Sequence, residues 1–183
     1  MAGRVAIVGG RHITPAVNVQ VQSVVTSLVA HGYTLVAGCA TGADRAAVAA
    51  ALTGSVPLSS LHVFAAFGTD GQGACGVSAV SDVQAFAAQG GAVTWWAGGG
   101  PSVPLRARLA ARAAQVVSQA SSGVVAFQPG KGSWRACRLA AGRELRVVAF
   151  TNVHEPLGMG EWVPCAVSGT WASARRWVPD SLF

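Results

Sequence analysis

Short apolar segments alternate, along the first 150 residues, with longer segments in which apolar residues recur every three or four positions. The short segments have the length and composition of buried strands, and the longer ones, rich in alanine, have a helical period. Six strands are predicted, at residues 5–8, 34–37, 61–64, 92–96, 123–127 and 146–150. Five helices are predicted, at residues 15–31, 43–52, 80–89, 104–120 and 133–142. This alternation predicts an α/β fold with three layers around a doubly wound, mainly parallel sheet.

The alternation stops after residue 150. Residues 151–183 contain several glycines and prolines, with Trp162, Trp171 and Trp177 between them. This composition is typical of irregular structure with a short hairpin. We therefore predict an α/β domain over residues 1–150 and a Trp-rich C-terminal extension over residues 151–183 that packs on the domain or on a partner.

The composition fits a sheet that is buried on both faces. The chain is 51% hydrophobic and only 11% charged, as expected where helices cover both sides of parallel strands. No uninterrupted apolar run reaches the roughly 18 residues of a membrane span. Because the chain also begins directly in a predicted strand, without the features of a secretory leader, we expect a cytoplasmic protein with no membrane contact. The four cysteines are far apart and form no CxxC, so we expect neither a metal nor a disulfide.

The net charge of +6 lies entirely in the second half of the chain. Residues 1–100 carry three arginines and three aspartates, which cancel. The excess consists of arginine almost alone, and the guanidinium group binds phosphates and carboxylates in a bidentate manner. An anionic partner is one explanation, and a coding bias toward arginine and alanine is the other.

Two glycine-rich turns follow predicted strands. The first contains Gly9, Gly10 and Arg11. The second contains four residues of interest in the sequence Gly-Cys-Ala-Thr-Gly-Ala-Asp, namely Gly38, Thr41, Gly42 and Asp44. Where a strand runs through glycines into a helix, free backbone N–H groups and the positive helix end favour a phosphate. We predict that both turns bind a nucleotide-type ligand, with Thr41 capping the second helix and Asp44 accepting a hydrogen bond from the ligand.

Neither turn matches a dinucleotide-binding motif. The first turn lacks the full GxGxxG, and no acidic residue ends the second strand, where a ribose hydroxyl would be held. These two departures argue against an ordinary NAD-dependent dehydrogenase. The alternative role for Asp44 is stabilisation of the helix dipole, since an acidic residue in the first turn of a helix has this effect.

The second half of the chain adds candidate phosphate ligands. Arg108 and Arg112 are four residues apart on one predicted helix face, whereas Arg106 is expected to point elsewhere. The pair would neutralise a phosphate, or else lie on a solvated helix face. Three further candidates, Gly130, Gly132 and Ser133, follow the fifth strand and would close the far side of the site.

In their order and spacing these motifs resemble the SLOG superfamily over residues 4–150. That superfamily contains the Rossmann-like domain of the DNA-processing protein DprA, the LOG phosphoribohydrolases and YpsA-like nucleotide sensors. The resemblance rests on the Gly-Gly-Arg turn, the Gly-x-x-x-Gly-x-Asp turn, the arginine-bearing helix and the Gly-Lys-Gly-Ser turn. It implies a Rossmann-like domain that binds a nucleotide or a nucleotide-derived phosphate ligand as a sensor or carrier.

One departure from the superfamily bears on catalysis. LOG enzymes carry a glutamate shortly after this last turn, and here Trp134, Arg135, Ala136 and Cys137 follow Ser133 instead. Without that carboxylate we assign no catalytic residue. We expect no metal, and the only bound group that we predict is a nucleotide-derived ligand. A diverged nucleotide N-glycosidic hydrolase using Asp44 or Asp70 stays as an alternative.

The second alternative is DprA-like binding of single-stranded DNA. The basic second half supports this function, and an exposed Trp134 would stack on a base. As many members of the superfamily self-associate, the resemblance also implies a homo-oligomer.

Overall fold

The computed structural model describes residues 3–180. In this range one eight-stranded sheet has three α-helices on one face and two on the other. The strands are β1 (Arg4–Gly9), β2 (Thr34–Ala37), β3 (Leu61–Phe64), β4 (Ala92–Thr94), β5 (Gly123–Phe127), β6 (Arg146–Phe150), β7 (Gly160–Pro164) and β8 (Arg175–Pro179). The helices are α1 (Pro15–Ala30), α2 (Ala43–Leu52), α3 (Val80–Ala88), α4 (Leu105–Gln119) and α5 (Lys131–Ala141).

The strand order places a crevice at the middle of the sheet. The order is β4-β3-β2-β1-β5-β6-β8-β7, and β1 to β6 run parallel. From β1 the chain enters α1, which packs on one face, and from β5 it enters α5, which packs on the other. Because these neighbouring strands lead to opposite faces, a crevice opens beyond their carboxyl ends, where doubly wound sheets bind ligands.

The predicted Rossmann-like fold is confirmed, with all six predicted strands and five predicted helices present. The largest difference is at β4, which ends at Thr94 because Trp96 adopts a positive φ of 54° and turns the chain. Trp95, which lies within the predicted strand, packs half-buried against Phe67 with ring centroids 6.0 Å apart.

Helix α1 shows how local sequence sets the elements that frame the site. Thr14 precedes it, and its hydroxyl oxygen accepts a hydrogen bond of 3.3 Å from the Val17 N–H. Pro15 occupies the first turn, where its missing N–H costs nothing. Val21 and Val25 lie on the buried face of the helix, so α1 covers the sheet beside β1 and β2.

The C-terminal segment extends the same sheet. Strand β8 pairs antiparallel with β6, and β7 pairs antiparallel with β8 at the edge. Trp162 lies between Trp134 and Trp177, with ring centroids at 5.9 Å and 5.5 Å. The prediction of an exposed Trp134 that stacks on a base is wrong, because the first turn of α5 points this side chain under the extension and leaves it 3% exposed.

Neither a membrane span nor a metal cluster is found in the described range. No helix within residues 3–180 is long and apolar enough to cross a bilayer. In the same range no three His, Cys, Asp or Glu side chains group as metal ligands. The four cysteines are free thiols.

Candidate functional site

A cleft of about 530 Å³ lies beyond the carboxyl ends of β1 and β5, between α4 and α5. Five basic side chains in the described part of the chain line it, against a single carboxylate, Asp44. They come from the first glycine turn and from both helices: Arg11, Arg106, Arg112, Lys131 and Arg135. This surplus of positive charge beside a sheet edge gives the cleft a positive potential, which favours anions.

The first glycine turn forms the wall of the cleft at β1. A Cβ atom on Gly9 would lie 2.5 Å from the carbonyl oxygen of Phe127, so only glycine lets the turn pass this close to β5. The Gly10 N–H donates to the same carbonyl at 2.9 Å. As a result, the exposed side chain of Arg11 starts from a fixed backbone at the mouth of the cleft.

The second glycine turn supports the first from behind. The Ala43 N–H donates to the carbonyl oxygen of Gly10 at 3.2 Å, and the Thr41 hydroxyl donates to that of Arg11 at 3.0 Å. Gly42 has a φ of 80° and is itself the N-cap of α2, without a side-chain cap. The prediction that Thr41 caps this helix is therefore wrong. Thr41 and Gly42 do not line the cleft, whereas Gly38 does.

Asp44 and Arg112 form a buried ion pair on the floor of the cleft. The Arg112 guanidinium donates to Oδ2 of Asp44 at 3.3 Å, and the Ala40 N–H donates to the same oxygen at 3.0 Å. Burial raises the pKa of Asp44, and the neighbouring Arg112 partly offsets that rise. Nε of Arg112 is buried and has no hydrogen-bond partner within residues 3–180.

The N-terminus of α5 forms the opposite wall. Gly130 is its N-cap and provides no side-chain cap, so the first N–H groups of the helix are available to an anion. The Ser133 hydroxyl donates to the carbonyl oxygen of Gly9 at 2.8 Å, which ties this wall to the first turn. Gly130, Lys131 and Gly132 are exposed, and a Cβ atom on either glycine would meet nothing within 4 Å.

Arg108 does not line the cleft, because its side chain is buried among the loops beside α4. It is 4% exposed, and its guanidinium donates to four carbonyl oxygens in loops that follow β3 and β4. The acceptors are Ala66 at 2.9 Å, Gly73 at 2.7 Å, Gly100 at 3.3 Å and Val103 at 3.0 Å. Its Cζ also lies 5.1 Å from the ring centre of Trp96. The predicted clamp of Arg108 with Arg112 does not form in the cleft, and Arg106, expected to point elsewhere, lines it.

Small apolar side chains complete the cleft between the two helices. They are Leu109, Ala110, Ala113, Ala114 and Val116 of α4 and Ala136 and Leu139 of α5. The described lining contains no aromatic side chain. The cleft thus has a basic mouth and an apolar interior.

Comparison with known proteins assigns the family. A family model described as DNA recombination-mediator protein A matches residues 1–152. The chain belongs to this family. Its fold is similar to that of DNA processing protein A from Helicobacter pylori, with 21% identity, a TM-score of 0.64 and 82% of this chain covered. It is equally similar to DNA processing protein A from Streptococcus pneumoniae, with 23% identity, a TM-score of 0.63 and 82% covered.

The chain matches only part of each solved protein of the DNA recombination-mediator protein A family. It spans 66% of the Helicobacter pylori chain and 51% of the Streptococcus pneumoniae chain. The Helicobacter pylori protein binds single-stranded DNA. No curated protein matches the chain.

Three basic residues of the cleft were not among the predicted ligands: Arg106, Lys131 and Arg135. Lys131 and Arg135 are four residues apart on α5 and so share a helix face, which is a signal present in the sequence. Arg106 carries a weaker signal, since it shares a helix face with Leu109 and Ala110, and both of these line the cleft.

Proposed function

We propose that the chain binds single-stranded DNA in the cleft between α4 and α5. The observation that carries this proposal is that four exposed cations line one cleft together with the uncapped N-terminus of α5. These cations are Arg11, Arg106, Lys131 and Arg135. Membership of the DNA recombination-mediator protein A family and the single-stranded DNA binding of the Helicobacter pylori protein support the same function.

The two parts of the cleft suit the two parts of a nucleotide chain. Phosphates would lie at the basic mouth, on Arg11, Lys131 and the first N–H groups of α5. Bases would contact the apolar interior between Ala113 and Leu139. Since phosphate contacts carry no sequence information and an apolar wall offers no hydrogen bonds to base edges, binding should depend little on sequence.

Fluorescence anisotropy with a labelled 20-nucleotide oligo-dT tests this function. We expect oligo-dT to bind more tightly than a duplex of equal length, with an affinity that falls steeply with salt. Arg11→Gln should weaken binding about tenfold and lower the salt slope by about 0.7, the value for one lost phosphate contact in a single strand. Arg176→Gln removes the same charge from an exposed position outside the cleft and should change neither quantity.

Two results would contradict the proposal. One is oligo-dT binding with an unchanged affinity and salt slope in Arg11→Gln. The other is binding of mononucleotides at Arg11 without any binding of oligo-dT, which would favour the ligand-sensor function that we predicted first. That function rests on the same phosphate-binding features but has no support from the relatives.

An oligonucleotide with abasic sites tests the role of the apolar interior. Abasic oligo-dT has the same phosphates but no bases, so it should bind about fivefold more weakly, a loss that corresponds to about 40 Å² of apolar contact. Ala113→Leu, which narrows the interior, should weaken binding of normal oligo-dT but not of the abasic strand. Equal affinity for both strands in the unmodified protein would show that the bases do not enter the cleft.

A further inference from the structure

A second cavity, of about 550 Å³, lies at the opposite end of the sheet. It opens where β1, β5 and β6 begin, on the face covered by α1. The cavity is lined by Leu28, His31 and Tyr33 around the end of α1, by Ser121 and Ser122 before β5, and by Trp171 of the C-terminal segment. Its volume is in the range of small-molecule sites.

One residue of the cavity floor, Gly123, has no side chain. Val5, Gly123 and Arg146 are paired across the three strands and so form one row on the same face. Gly123 leaves the middle of that row empty, and a Cβ atom there would lie 2.7 Å from the carbonyl oxygen of Arg146. Val125 and Val148 form the next row and complete an apolar floor.

Aromatic side chains bound this floor, in contrast to the cleft at the other end. Tyr33 and Trp171 are both half-buried and line the cavity. Phe150 supports Trp171 from below, with ring centroids 5.7 Å apart. Two aromatic rings beside an apolar floor provide surfaces on which a planar ring can stack.

The charge at the cavity is positive. Arg146 is exposed, and its guanidinium forms neither a hydrogen bond nor an ion pair with any residue in the range 3–180. Nδ1 of His31 donates a hydrogen bond to the carbonyl oxygen of Ser27 at 2.7 Å. The other ring nitrogen, Nε2, does not take part in this bond. No carboxylate of the described chain lines the cavity. An anionic group in the cavity could therefore pair with Arg146 without competing against a carboxylate of the protein.

We propose that this cavity binds a small planar aromatic anion with the size and chemistry of a nucleoside monophosphate. The ring lies against Tyr33 and Trp171 above the valine floor, and the anionic group pairs with Arg146. The site is separate from the cleft between α4 and α5, and the proposal does not depend on the binding of DNA there.

Isothermal titration calorimetry with AMP as the probe tests the proposal. We expect AMP to bind more tightly than adenosine, which has the ring alone, and more tightly than inorganic phosphate, which has the anion alone. Arg146→Gln should raise the dissociation constant about tenfold by removing a charge-assisted contact. Arg176→Gln, which removes an exposed arginine outside the cavity, is the matched control and should bind AMP unchanged.

AMP binding to two variants, and competition between AMP and oligo-dT, show whether AMP binds in this cavity or in the cleft. AMP binding should be unchanged in Arg11→Gln, and an excess of oligo-dT should not displace AMP. Absence of AMP binding would overturn the proposal. So would AMP binding that is lost in Arg11→Gln but kept in Arg146→Gln, because that result places the nucleotide in the cleft.

Discussion

Arg108→Met is expected to lower the free energy of unfolding by about 3 kcal/mol. The guanidinium donates to the carbonyl oxygens of Ala66, Gly73, Gly100 and Val103, and methionine leaves all four without this donor. A hydrogen bond to a charged group contributes about 1.5–3 kcal/mol, and relief from burying the cation offsets part of the loss. Urea denaturation of both proteins measures the difference.

Arg106→Met is the matched control for this change. Arg106 lies on the same helix two residues earlier, is exposed, and donates no hydrogen bond within residues 3–180. Its replacement should alter the unfolding free energy by less than about 0.5 kcal/mol. Equal effects of the two substitutions would show that the bonds of Arg108 do not stabilise the fold. Hydrogen exchange in Arg108→Met should also accelerate in the loops after β3 and β4, because these loops lose the donor that holds them together.

Gly42→Ala is expected to destabilise the protein by about 3 kcal/mol and to weaken DNA binding. Gly42 has a φ of 80° and a ψ of −127°, a region that L side chains avoid. A Cβ atom there would lie 2.1 Å from the carbonyl oxygen of Gly10, which is backbone and cannot rotate away. The first turn must therefore shift, and Arg11 shifts with it. Denaturation and oligo-dT anisotropy measure the two effects.

Gly130→Ala provides the comparison for Gly42→Ala. Gly130 has a φ of −89°, and a Cβ atom on it would meet nothing within 4 Å. We expect the unfolding free energy of Gly130→Ala to lie within about 0.5 kcal/mol of that of the unmodified protein. If Gly42→Ala were as mild as Gly130→Ala, the second turn would not hold the first in place.

The fold could be predicted from the sequence because the residues within and next to each element favour that same element. Helix α1 has its cap at Thr14, its proline in the first turn and its valines at helical spacing, so its bounds follow from neighbouring residues alone. The same holds for β5, whose five residues are all buried. Strand β4 was overestimated because the positive φ of Trp96, which ends the extended segment, has no signal in the sequence.

The candidate site was only partly predictable, because tertiary contacts decide which arginine faces the cleft. Arg108 and Arg112 share a helix face, yet Arg112 pairs with Asp44 on the cleft floor while carbonyls of two loops surround Arg108. Helical spacing cannot distinguish these environments, since the acceptors come from distant segments. Similarly, nothing local to Trp134 reveals that Trp162 of the extension covers it.

Both glycine turns contribute to one wall, but in different ways. The first provides Arg11 at the mouth of the cleft, and the second holds the first through Thr41 and Ala43. The sequence predicted that both turns bind the ligand, and it gave no sign that Thr41 and Ala43 of the second turn hold the first in place. Gly38 and Asp44, which line the floor, are the parts of the second turn that a ligand can reach.

We propose that single-stranded DNA binds at the basic mouth of the cleft, and amide chemical shifts can locate it there. The most direct test is a titration of ¹⁵N-labelled protein with oligo-dT, followed by amide chemical shifts. We predict the largest changes at Gly10, Arg11, Gly132 and Ser133, with small changes at Tyr33 and Ser122 near the second cavity. Saturation by oligo-dT that leaves the amides of the first turn and of α5 unshifted would contradict the account.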